Sequence, residues 1–127
     1  MGLVFTKVAN ESVTITQTDN YQYQSVSSLT SNVPVEPGGK YLMVATVSLA
    51  STYANGNTDF SVGISVGGTS KGNVLTGGTA YQNIVVFGEV DIVTATQMTV
   101  EVRLGGRVPG TYTIYAGTSS LRVFRVG

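Results

Sequence analysis

The stretch Asp59-Phe60-Ser61-Val62-Gly63-Ile64-Ser65-Val66-Gly67-Gly68 decides how the rest of the chain is read. Phe60, Val62, Ile64 and Val66 alternate with Ser61, Gly63 and Ser65, a period of two that fits a pleated strand and no helix. One face of this strand is expected to be buried and the other wet. Met98, Val100, Val102 and Leu104 repeat the pattern against Thr99, Glu101 and Arg103.

Working outward, β-branched and aromatic runs recur between Gly, Asn or Pro, and helical periodicity is hard to find. Strands are predicted near residues 3–8, 12–17, 21–26, 40–50, 59–66, 81–90, 97–104, 110–116 and 119–126. Pro37-Gly38-Gly39 supplies a turn before Tyr41, and Pro109-Gly110 one before Tyr112. Residues 67–80 lack clear alternation and read as a long loop, of the length that usually carries a function. Tyr41-Leu42-Met43-Val44-Ala45 and Asn83-Ile84-Val85-Val86-Phe87 are apolar on both sides, so they require a second cover, from a packed sheet plus a loop or from another subunit. The fold expected is all-β, an antiparallel β-sandwich of jelly-roll topology, with residues 1–127 forming one domain.

Composition narrows the chemistry. The 127 residues include no cysteine and no histidine, which excludes disulfides, thiol nucleophiles, imidazole bases, Cys/His zinc sites and Ser-His-Asp triads. Charged residues make up 11% and the formal net charge is zero, an argument against nucleic acid as a partner. No run approaches the ~18 apolar residues of a membrane helix and no signal-peptide pattern opens the chain, so no membrane partner and synthesis without export are expected. Met1-Gly2 through Thr6 fits an acylation pattern, but Leu3-Val4-Phe5 reads first as a strand.

Each local motif has a plain structural reading beside it. Gly67-Gly68-Thr69-Ser70-Lys71-Gly72 lacks the helix that a phosphate loop requires and reads as a flexible hairpin or a crossing loop. Asn55-Gly56-Asn57-Thr58-Asp59 lacks the distal glutamate of a calcium loop and is expected to be a turn. Glu89, Asp91 and Glu101 offer carboxylates for glycoside hydrolysis, but their spacing does not demand it and no enzyme, cofactor or metal is expected. Tyr21, Tyr23 and Tyr53 offer amphipathic rings for a sugar or a subunit contact. Arg103, Arg107, Arg122 and Arg125 make the C-terminal part basic, yet Arg122 and Arg125 fall on opposite faces of one strand, so they form no single stripe. With Phe124, these tyrosines and arginines are the expected interface residues. The ending Leu121-Arg122-Val123-Phe124-Arg125-Val126 is too apolar to hang in solvent and is expected to insert into a sheet.

The runs Pro37 to Ala50, Asp59 to Gly68, Tyr81 to Ile92, Met98 to Gly106 and Thr118 to Gly127 resemble the jelly-roll modules of bacteriophage virions, both capsid decoration proteins and fibre heads similar to the C1q/tumour-necrosis-factor fold. With no stalk-like repeat in the sequence, the resemblance implies a decoration protein in the virion, made in the host cytoplasm, binding viral capsid protein without cofactors. It also implies a homo-oligomer, a trimer more than a dimer. The alternative it implies is a carbohydrate- or receptor-binding head whose partner is a surface glycan.

Overall fold

The computed structural model describes residues 2–17, 23–53, 60–77, 81–106 and 110–127. Among these it contains eleven strands: β1 (Gly2–Val8), β2 (Val13–Gln17), β3 (Gln24–Ser25), β4 (Ser31–Pro34), β5 (Lys40–Tyr53), β6 (Phe60–Val66), β7 (Thr69–Thr76), β8 (Gln82–Asp91), β9 (Gln97–Gly106), β10 (Gly110–Ile114) and β11 (Ser120–Arg125). All pairings are antiparallel. The long β5 organises the first sheet, with β8 along one side and β11 then β10 along the other; β1 and β2 lie beyond them. In the second sheet β7, β6 and β9 run side by side, and β4 and β3 line up along the far edge of β9.

From β4 onward the chain mostly crosses between sheets instead of folding back beside itself: β4 to β5, β5 to β6, β7 to β8, β8 to β9 and β9 to β10 all change layer. This is the jelly roll expected from the sequence. Two connections stay within a layer: β10 to β11, which steps across β5 in the first sheet, and the β6–β7 hairpin, where Val66 pairs with Thr69 across Gly67 and Gly68. Both glycines have positive φ, 58° and 85°, the backbone that a two-residue turn matched to strand twist demands.

Alternation puts one side of every long strand into a shared core. Tyr41, Met43, Val47 and Leu49 of β5 face Phe60, Val62 and Ile64 of β6 and Val100, Val102 and Leu104 of β9, all essentially inaccessible to solvent. Phe60 and Tyr112 meet edge to face at 5.6 Å, tying β6 to β10 across the layers. The final strand is inserted as expected: β11 lies between β1 and β5, with Leu121 and Val123 fully buried. Beyond it, Val126 N–H donates to the Lys40 carbonyl at 2.8 Å, extending the ladder.

Three expectations need correction. Residues 69–76 are a strand, not a loop; Lys71 is an extra residue that shifts the β6–β7 register between Ile64 and Ser65 and so breaks the alternation. Gly72 weakens the signal further because β7 closes against β8: a Cβ there would lie 1.9 Å from the Phe87 carbonyl oxygen. Second, β4 has no counterpart among the predicted strands, because it is a short strand at the rim of its sheet ending in proline, with little room for a periodic pattern. Third, the outward face of β6 is not wet. Ser61 and Ser65 are 1% and 2% exposed, since β6 is an inner strand and its small residues lie low between the longer side chains of its neighbours. The Asn55 to Asp59 turn lies outside the described residues.

Candidate functional site

Small side chains on a central strand leave a depression wherever the flanking strands carry large ones, and the outer face of the second sheet is built this way. Ser61, Gly63 and Ser65 point outward from β6. Gly63 pairs with Arg103 of β9 on one side and with Asn73 of β7 on the other. The resulting cleft has a volume of about 290 Å³ and is walled by Tyr23, Ser70, Asn73 and Arg103 above a floor of Gly63 and Ser65. That size sits at the small end of small-molecule sites, which run from ~300 Å³ upward.

Each wall is held in place. The Tyr23 ring packs on Gly105, where a Cβ would come within 2.8 Å of it, and its hydroxyl accepts a hydrogen bond from Ser61 Oγ at 3.1 Å. Half of Tyr23 stays exposed, so the ring forms a rim. Arg103 donates from Nε to Glu101 Oε2 at 3.0 Å, and Ser25 Oγ donates to the same oxygen at 2.7 Å. The Ser25 hydroxyl first, and then Arg103, hold the Glu101 carboxyl below its ordinary pKa, so it remains a carboxylate and anchors the guanidinium. Because the pair is internally compensated, the cleft presents directional donors with little net charge.

Ser65 is the exceptional residue. Its Oγ is buried and has no hydrogen-bond partner among the described residues. A buried hydroxyl left unpaired costs about 1–3 kcal/mol, so a group that supplies the missing bond binds with that cost relieved.

The expected interface residues do not form one surface. Arg103 and Tyr23 belong to this cleft. Arg122 and Phe124 lie on the outer face of the opposite sheet, paired with Val44 and Leu42 of β5. Arg125 points to the other side of β11, as expected, and its Nη1 contacts Glu36 Oε2 at 2.6 Å near one end of the sandwich. Tyr53 ends β5 opposite Gly110, and Tyr21 and Arg107 lie outside the described residues. Sequence reasoning missed Ser65 and Asn73, because a serine alternating with valine reads as ordinary surface and Asn73 fell in the supposed loop. The small-residue series Ser61, Gly63, Ser65 was the available signal. The three suspected acids separate: Glu89 and Asp91 face outward from β8 on the first sheet, Asp91 beside Lys40, and Glu101 faces outward on the second, so Glu101 cannot act with either on one bond.

No family model matches the sequence. No curated protein matches it either. Solved structures do resemble the fold. A tumour necrosis factor, Eiger from S. frugiperda, superposes with a TM-score of 0.57 over 100% of this chain and 94% of its own at 8% identity. The C-terminal domain of EclA, described as a sugar-binding protein, gives 0.52 over 91% of this chain and 78% of its own at 14% identity. A carbohydrate-binding module of Cellvibrio mixtus lichenase 5A, solved with cellotriose, gives 0.50 over 98% and 99% at 13% identity. Identities this low carry the architecture and nothing finer: the chain is an all-β jelly-roll sandwich.

Proposed function

We propose that this chain is a carbohydrate-binding jelly-roll module that holds a neutral sugar in the cleft over β6. The observation that carries the reading is the buried, unpartnered Ser65 hydroxyl at the floor of a cleft walled by a guanidinium, an amide and a tyrosine ring. A sugar presents adjacent hydroxyls that both donate and accept, together with an apolar C–H face. Arg103 and Asn73 suit adjacent hydroxyls, Ser65 suits a third, and the half-exposed Tyr23 ring suits the C–H face. Compensation of Arg103 by Glu101 favours a neutral ligand over a polyanion. Sugar binding by the EclA domain and the lichenase module agrees with this, although a shared jelly roll does not by itself share function.

The virion decoration role implied by the sequence resemblance needs only a rigid contact surface, and nothing in the folded chain favours it over sugar binding. Calorimetric titration of the full chain with neutral oligosaccharides, cellotriose among them, separates the two. Binding tighter than ~1 mM that falls at least ~10-fold in Arg103→Ala supports the sugar reading. Absence of binding to every sugar, with co-sedimentation of the chain with phage capsids, overturns it in favour of decoration.

A further inference from the structure

The outer face of the first sheet is the reverse of the sugar cleft in composition. Register places Leu42 of β5 between Glu89 of β8 and Phe124 of β11, and Phe124 beside Leu3 of β1. One pleat along, Val44 lies between Phe87 and Arg122, and the next outward position of β8 is Val85. Phe87 is 59% exposed, Leu3 56% and Val85 44%. These are the two-sided apolar strands that the sequence singled out, and among the described residues nothing covers them. An apolar face that spans four strands marks a contact surface.

Two charges interrupt it, Glu89 on one side of β5 and Arg122 on the other. Neither forms an ion pair among the described residues, whereas Lys40–Asp91, Arg103–Glu101 and Arg125–Glu36 do. Opposite charges flanking a central apolar strand make the face complementary to itself, the requirement of an isologous contact. We propose that a second copy of this chain covers the face, about a two-fold axis running along β5. Such an axis stacks Leu42 and Val44 on their own copies and lays β8 of each chain over β11 of the other. Arg122 then meets the ring of Phe87 from the second copy and lies one pleat from its Glu89, within reach of the long side chain. The resemblance noted in the sequence implied a trimer; this charge arrangement is satisfied by two copies.

The test is sedimentation equilibrium of the full chain, with a charge-reversal cycle. The wild type is expected to have twice the 13.3 kDa chain mass at concentrations up to about 100 μM. Arg122→Glu and Glu89→Arg alone each set like charges against each other and are expected to weaken association at least ~10-fold. The double reversal is expected to restore it to within about 3-fold of wild type. Circular dichroism establishes that each variant is folded. A monomeric wild type overturns the proposal, including one that co-sediments with capsids. A trimer, or a double reversal that fails to restore association, overturns the two-fold arrangement. The cleft lies on the opposite sheet, so sugar titration of the same variants is expected to be unchanged and reports on the two ideas separately.

Discussion

Ser65 carries the functional reading. Its hydroxyl lies buried at the floor of the cleft with no bond to make among the described residues, a cost that Ser65→Ala removes. That substitution is expected to leave the free protein as stable or up to about 1 kcal/mol more stable, while weakening sugar affinity ~5- to 10-fold. Urea unfolding and calorimetry check the two halves; a loss of stability would mean that the hydroxyl is already satisfied. Glu101 makes a second prediction. Its pKa is depressed in the folded chain, so its contribution is present above the ordinary glutamate value of 4.5 and is lost as pH falls through the lower folded value. Sugar affinity is therefore expected to hold from neutrality to pH 4.5 and decline only below it. A decline centred above 4.5 in a pH-dependent titration would show that Glu101 does not anchor Arg103.

At the scale of elements, close packing of β7 on β8 closes one side of the sandwich and positions Asn73. Gly72→Ala drives a methyl into the Phe87 carbonyl and is expected to cost about 3 kcal/mol or more, read as a lowered urea midpoint. A change below about 0.5 kcal/mol would show that the strands do not approach this closely. The same strands show what was legible beforehand. Strands β5, β6, β8, β9 and β11 were plain in the sequence because burial on the core side fixes every second residue. Strand β7 was not, because an extra residue at Lys71 shifts its phase and Gly72 answers to a neighbour that is distant in sequence. The site followed the same division. Tyr23 and Arg103 stood out by residue type, whereas Ser65 became informative only once Arg103 and Asn73 were seen to flank its strand.

At the scale of the whole molecule the two sheets divide the work. The inward faces share one apolar core, in which Leu104→Ala is expected to cost about 2–5 kcal/mol by calorimetric unfolding. The outward faces differ: small polar residues between long ones make a cleft over β6, and apolar residues flanked by opposite charges make a self-complementary surface over β5. The central claim is that the β6 cleft takes the sugar. Amide chemical shifts recorded during titration with a neutral oligosaccharide test it most directly. The account predicts that Gly63, Ser65, Asn73 and Arg103 move together while β5 and β11 stay still. Shifts confined to the outer face of β5, β8 and β11, or none at millimolar sugar, would contradict it.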